Sequence, residues 1–490
     1  MKKCSKLLAM VLAALMLLSS VTACGEGDSS NTKETTGGVV TDAPETEGET
    51  NLAQARAGLT SNLPEANFDG REFRFYNRDW GIKFLYAEEQ DGEVVNDAIF
   101  AANSAVEEKY GVDIVAVDSG MGDVDHIAAV KRIITSNDDA FEIAFGHDML
   151  TPQASLEGYF LNIYDIPHLD LTQPWWSQPG LKEFTVNDVC YLGLGSISYM
   201  SLDQARIIYI NEDLAEEYQI TLPYEDVLAG TWTLDKLVGM TKDFYEDLNG
   251  NSELDAEDLY GFSTEGGCYG YLENFGINVI GKDEDELLKV GFEMEKMTDV
   301  ISCVYQWLCE SKGAHMTDDA NKYETELFTA GRLLMGHFSL GGLLKDVRET
   351  NISYGLVPMP KYDEAQENYV TSTVEHPFIF PSDATEDKLD FAGFIVEAMS
   401  LEGYKKIFPA YYEIALQNKY FDNQSVEMIK IINETASMSF SFVYDTVGMA
   451  LPIYHMMSYT TPSDNFASFY KAREKQFEKM IDRIIDSFIE

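Results

Sequence analysis

The sequence predicts an α/β fold with a mainly parallel sheet, spread over two domains. Three observations carry that prediction. Between Phe68 and Phe145, strand-like segments alternate with segments of helical period, the mark of strand–helix–strand units. From Phe68 to Glu490 the chain is longer than one hydrophobic core usually organises. Beyond the N-terminal segment, no run of about 18 apolar residues could span a membrane.

The elements follow in chain order. Lys2, Lys3 and Lys6 precede an unbroken apolar run over residues 7–18, and Val21-Thr22-Ala23 lead into Cys24. A basic start, a short apolar core and small residues before a cut form a secretory signal. The run falls short of the roughly 20 residues of a transmembrane helix. Small residues directly before Cys resemble the bacterial lipobox, whose thiol takes a diacylglycerol and becomes the mature N-terminus. Residues 1–23 are therefore expected to be removed, with Cys24 lipidated on the extracellular face of the cell membrane. Residues 24–67 are rich in Thr, Gly, Ser, Asp and Glu and hold no aromatic residue. Such a stretch buries too little apolar surface to offset its ordering entropy, so it is expected to be a disordered tether, with structure beginning near Phe68.

Residues 68–77 (FDGREFRFYN) alternate like an edge strand. Residues 94–110 form an amphipathic helix closed by Gly111, followed by a strand over 112–117, a helix over 126–136 and a short buried strand over 141–145. Residues 191–210 are apolar and β-like. Residues 233–247 predict a helix capped by Thr233, 297–310 another, 353–359 a strand and 388–400 a helix. Residues 465–488 predict a long terminal helix with Phe466, Phe469, Phe477, Met480, Ile481, Ile484, Ile485 and Phe488 on one stripe.

The formal net charge is −48, and loss of the three N-terminal lysines deepens it. Phosphate backbones need a basic surface, so nucleic acid is excluded as a partner; the charge fits solubility at a cell surface. Beyond the signal and Cys24 lie Cys190, Cys268, Cys303 and Cys309, without a CxxC metal spacing, which read as buried thiols. No HExxH, GxSxG or phosphate loop occurs.

Four stretches then carry a resemblance. FEIAFGHDMLTPQASLEGYFLNI (141–163), IIYINEDL (207–214), FTAGRLLM (328–335) and YGLVPMPKY (354–362) stand in order. They resemble motifs of the extracellular solute-binding proteins of ABC sugar importers, the family that includes the maltose-binding protein. Leu334 departs from the usual Ala, and Ile210 from the usual aromatic residue before Asn211. The resemblance implies a two-lobe, type II periplasmic-binding-protein-like α/β fold with discontinuous lobes. One lobe would hold 68–197 and 366–410, the other 198–365 and 411–490, with crossings near 193–201, 362–373 and 409–415. It implies capture of a carbohydrate, an oligosaccharide by preference, between lobes that close on a hinge. Delivery would be to the transmembrane subunits of an ABC permease, by a monomer without catalysis.

Sugars present C–H faces and rings of hydroxyls, which aromatic planes and carboxylates match. Asp79 and Trp80 follow the first strand, and His147 and Asp148 the third; Asp148 aligns with a family carboxylate that accepts sugar hydroxyls. Glu265, Tyr269 and Tyr271 sit in a Gly-rich stretch, and Phe442 and Tyr444 where the family places a stacking aromatic. These nine are the candidate ligand residues. Trp175 and Trp176 are expected to pack on the lobe surface.

Residues 247–258 (DLNGNSELDAED) place Asp247, Asn249, Asn251, Asp255 and Asp258 at positions 1, 3, 5, 9 and 12, with Glu253 at position 7 for a backbone carbonyl. Oxygen donors at this spacing suit a structural calcium ion. Ser252 stands where Gly is usual at position 6, and position 12 is Asp rather than Glu. Two other readings stay open: a surface carbohydrate-active enzyme, since paired acids abound among 83 Asp and Glu, and a binder of a non-sugar solute such as a peptide or polyamine. A dockerin-like calcium module is a third, weakened by the single loop.

Overall fold

The computed structural model describes residues 56–490, except 266–267, 285, 318–325, 348–349, 375, 418–422, 446–447, 459 and 490. The signal segment, Cys24 and the tether to residue 55 therefore lie outside the described residues. Order begins before Phe68. Arg56 lies 4.8 Å over the Tyr404 ring, Leu59 and Leu63 pack against the core, and Asn62 Nδ2 donates to Asp170. Leu59 and Leu63 supply the apolar contact that composition alone hid.

The first sheet contains β1 (Arg71–Asn77), β2 (Val112–Asp118), β3 (Ile143–Phe145) and β13 (Phe378–Ile379), in the order β13-β3-β1-β2. β1 is parallel to both its neighbours, and β13 runs antiparallel to β3. The edge strand expected at 68–77 is thus an interior one. Phe73 and Phe75 are fully buried, Phe75 meets Phe145 edge-on at 6.0 Å, and Tyr76 stacks on His126 at 5.0 Å. Arg74, the polar residue that gave the alternation, is held by Glu142 at 2.6 Å. Both faces are covered, as parallel strands require.

The helix Val94–Tyr110 covers this sheet and packs along the helix Glu386–Gln417. It ends at Gly111, whose φ of 61° is left-handed and whose added Cβ would lie 2.4 Å from Asn67 Oδ1, so the cap requires glycine. Glu386–Gln417 runs unbroken through Pro409, far beyond the expected 388–400. The crossing anticipated near 409–415 falls within this helix.

The second sheet contains β4 (Arg206–Asn211), β5 (Tyr245–Glu246), β6 (Leu259–Glu265), β9 (Ala314–Thr317), β10 (Leu333–Ser339) and β11 (Tyr354–Pro358). Its order is β11-β4-β10-β6-β5, with β9 also on β6. Ile207, Ile208, Tyr209 and Ile210 are all buried in β4. Tyr209 crosses its neighbour at Gly336, where a Cβ would lie 2.2 Å from the ring. Two small pairs complete the pattern: β7 (Ile280–Lys282) with β8 (Leu288–Val290), and β12 (Thr371–Ser372) with β14 (Ala436–Ser437).

Residues 71–145 and 378–379 thus build one sheet, and residues 206–358 the other. Between them the 191–204 stretch is not the β run expected; it holds a short helix, Met200–Asp203. It meets the other intervening segments: Thr373 Oγ1 donates to Ser201 O at 2.6 Å, and the Tyr199 and Tyr411 rings lie 5.3 Å apart. The helix expected over 233–247 ends at Thr241. Thr233 occupies its N-cap position without a side-chain cap bond, and the chain turns into β5 instead. The helix Phe466–Ile489 buries Phe466, Phe477, Met480, Ile481, Ile484 and Phe488 as the stripe requires, together with Tyr470. Trp175 and Trp176 are interior rather than superficial, because Trp176 Nε1 finds a buried acceptor in Glu397 at 3.0 Å.

Candidate functional site

A cavity of about 430 Å³ opens between the ends of the first sheet and the C-terminal part of the chain. On one side stand Arg78 and Trp80 after β1, Asp123, and Gly146, His147, Asp148 and Met149 after β3. On the other stand Tyr269, Phe442 and Leu451. Met200 and Val374, from the intervening segments, complete the lining. Parallel strands converge their C-terminal loops on one edge, which is why the residues after β1 and β3 face the same space.

Five of the nine sequence candidates share this cavity: Trp80, His147, Asp148, Tyr269 and Phe442. Asp79 lies in the first turn of the short helix Asp79–Ile82, exposed and outside the lining. Glu265 ends β6, and its side chain lies outside the described residues. Tyr271 and Tyr444 are corrections: both are fully buried. Tyr271 Oη donates to Thr264 Oγ1 at 2.8 Å, and its ring meets His337 edge-on at 4.9 Å. Tyr444 stacks on Phe440 at 4.6 Å, with its Oη 3.3 Å from Ser155 Oγ. A neighbouring aromatic two positions away faced the cavity in each case, and only packing separated them.

The polar wall is a chain of alternating charges. Arg78 Nη1 bonds Asp123 Oδ1, Asp123 Oδ2 lies 3.8 Å from His147 Nε2, and His147 Nδ1 lies 2.8 Å from Asp148 Oδ1. Arg78 is 1 % exposed, so burial lowers its pKa against the opposing pull of Asp123 and Asp148. For Asp123, burial pushes upward but the Arg78 bond and charge outweigh it, and its pKa falls. Burial likewise opposes charge on His147, yet the Asp148 bond and the Asp148 and Asp123 charges raise its pKa. The Met149 N–H also points at His147 Nδ1, at 3.1 Å. The nitrogen accepts that bond only when bare, so Asp148 and the amide compete for opposite protonation states.

The apolar wall offers rings and thioethers. Trp80 remains 46 % exposed, with the Arg78 guanidinium 4.2 Å over its ring and His376 stacked at 6.5 Å. Tyr269 lies 5.7 Å from Phe442. His376 is buried against Phe145 at 4.6 Å, and burial drives its pKa well down, so it serves as a neutral support. Gly146 admits Thr151, whose Oγ1 would stand 1.9 Å from a Cβ. Sequence reasoning missed Arg78, Asp123, Gly146, Met149, Met200, Val374 and Leu451. Arg78 could have been found, as the residue before two that were named; Asp123 and Leu451 are joined to the site only by folding.

The 247–258 loop is closed by its own side chains on its own backbone. Asp247 Oδ1 and Oδ2 accept from Gly250 N and Ser252 N, Asn249 Oδ1 from Asn251 N, and Asn251 Oδ1 from Glu253 N. Ser252 takes a φ of 62°, the left-handed conformation that a position-6 glycine supplies. Asn249 and Asn251 both donate to Asp255. Asp258 is fully buried and accepts from Tyr245 Oη at 2.9 Å, Leu248 N and Asp255 N. Among the described residues no three His, Cys, Asp or Glu side chains gather into a metal-holding group. Asp258 thus fastens the loop from the interior. The described cysteines form no disulfide.

At the level of sequence, no family model and no curated protein matches the chain. Solved structures do match its fold. An ABC substrate-binding protein of Listeria monocytogenes in complex with cycloalternan superposes with a TM-score of 0.53 at 12% identity, covering 84% of this chain and 100% of that one. The maltose/maltodextrin-binding domain of Bdellovibrio bacteriovorus bound to maltotriose gives 0.51 at 12%, covering 85% and 100%. UgpB of Mycobacterium tuberculosis in complex with glycerophosphocholine gives 0.51 at 11%, covering 85% and 99%. The chain has the two-lobe α/β fold of the solute-binding proteins of ABC transporters.

Proposed function

We propose that this chain is the substrate-binding component of an ABC importer, which captures a carbohydrate in the Arg78–Leu451 cavity and hands it unaltered to a permease. The observation that carries the reading is the composition of that cavity. It sets Tyr269 and Phe442 opposite the Arg78–Asp123–His147–Asp148 chain, with Trp80 beside Arg78. Rings offer stacking faces and the charged groups offer fixed donors and acceptors, the combination that a ring of hydroxyls needs. Neighbours of the same fold hold cycloalternan and maltotriose, which supports a sugar. A third holds glycerophosphocholine, so the cavity rather than the fold selects the ligand.

The same reading makes Cys24 the lipid anchor on the extracellular face, the stretch that follows it a tether, and the protein a monomer. Calcium in the 247–258 loop belongs to it as a structural ion that pins the loop beside β5 and β6. The proposed boundaries place 68–197 and 366–410 in one lobe, 198–365 and 411–490 in the other. A thermal-shift screen of the purified protein against mono- and oligosaccharides, peptides and polyamines tests the reading, because a ligand of the folded state raises the midpoint. Calorimetry and product analysis follow on each hit. A peptide or polyamine as the only hit overturns the carbohydrate; turnover of a bound sugar overturns the transport role.

A further inference from the structure

The charged wall bears on which carbohydrates fit, given the carbohydrate reading above. Its four groups are Arg78, Asp123, His147 and Asp148, and with His147 protonated each neighbours an opposite charge: the Arg78–Asp123 bond, then 3.8 Å from Asp123 to His147, then 2.8 Å from His147 to Asp148. Among the described residues, no fifth charged side chain lines the cavity. Arg78 and Asp148 are 1 % and 7 % exposed, so their fields are little screened by water. Arg78 also keeps one buried donor, Nε, without a partner among the described residues. A buried donor left unmade is unfavourable, and an acceptor that meets it gains more than it would in water.

We infer that the cavity selects an uncharged, polyhydroxylated ligand, and that the Arg78–Asp123 pair is its specificity determinant. A neutral hydroxyl oxygen can accept from Arg78 and its proton can reach a carboxylate, leaving every ion pair intact. A uronate brought to Arg78 must compete with Asp123 and face Asp148. An amino sugar brought to Asp148 must compete with His147 and face Arg78. Either charge enters a space where the matching countercharge is already taken, and a desolvated charge without its own partner is strongly disfavoured. The selection is thus made against charged sugars as much as for neutral ones.

The test uses a panel of matched probes: glucose, glucuronate and glucosamine, then maltotriose, trigalacturonate and chitosan trimer, each by calorimetry on the full mature chain. Neutral members should bind roughly tenfold or more tightly than their charged counterparts. In Asp123→Asn, Arg78 loses its countercharge and uronates should gain relative to neutral sugars. The paired variant Arg78→Gln with Asp123→Asn removes both charges without leaving one unpaired, and should bring neutral and charged probes to within about threefold. Wild-type affinity for a uronate or amino sugar equal to that for its neutral counterpart overturns the inference but leaves the carbohydrate reading standing. So does full discrimination retained by the folded paired variant. Binding of peptides or polyamines with no sugar bound overturns both.

Discussion

His147 Nδ1 lies 2.8 Å from Asp148 Oδ1, while its Nε2 lies 3.8 Å from Asp123 Oδ2. The imidazole is thereby placed between two carboxylates, with Arg78 beyond, and its pKa is raised although burial opposes charge. A group whose folded pKa exceeds its unfolded value stabilises the fold fully below the unfolded value, near 6.5 for histidine, and loses that contribution as pH rises through the folded one. Wild type should therefore exceed His147→Gln in melting temperature most below pH about 6.5, with the gap closing in alkaline buffer. Paired melts from pH 5 to 9 read this directly; a gap that widens toward alkaline pH refutes the placement.

Asp148 is buried on the cavity wall. With Asp148→Ala, ligand hydroxyls lose an acceptor in a dry site, at about 1–3 kcal/mol, or roughly 5- to 150-fold in affinity. Calorimetry with the screen's sugar hits gives the value, and affinity unchanged from wild type removes Asp148 from the site.

Three tyrosines separate binding from packing. Tyr269→Ala should weaken ligand binding with a small change in melting temperature, because the ring lies at the cavity surface. Tyr271→Ala and Tyr444→Ala empty fully buried sites and should each cost about 3–5 kcal/mol of stability. Denaturant titrations distinguish them; a Tyr444→Ala protein as stable as wild type contradicts its core position.

The 247–258 loop yields a prediction on metal. Calcium should raise the melting temperature of wild type over that in chelator, and Asp247→Ala should abolish the difference. Asp258→Ala should destabilise even without calcium, since Tyr245 Oη, Leu248 N and Asp255 N all donate to its carboxylate. Equal melting of wild type in calcium and in chelator rules the ion out.

Glu397 is buried beneath Trp176 and the Asp170 amide, and burial pushes its pKa up to about 7. The folded state thus favours the protonated acid. Stability from this group is greatest at low pH and falls as pH rises from the ordinary carboxylate range, about 4.3, toward and past 7, by on the order of 3–4 kcal/mol. Glu397→Gln keeps an acceptor for Trp176 Nε1 and should gain stability over wild type at pH 8 but not at pH 4. Thermal melts at the two values decide it.

Much of this was legible in the sequence, and the reasons differ by level. Local signals sufficed where one physical cause dominated: Gly111 closed its helix because only a residue free to take positive φ could, and the 466–488 stripe became a buried face because its period matched the helix. The order of strands and helices gave the α/β class, and loops after β1 and β3 gave Trp80, His147 and Asp148. Tertiary structure alone decided the rest. β1 lies inside its sheet because Glu142 and Asp139 satisfy Arg74 from distant positions. Tyr269 faces the cavity and Tyr271 the core because β10 brings His337 against one and not the other. Arg78 joins the site through Asp123, 45 residues away. Alternation, period and capping are set by neighbours in the chain, whereas burial, ion pairing and the direction of a side chain are set by partners that only folding brings near.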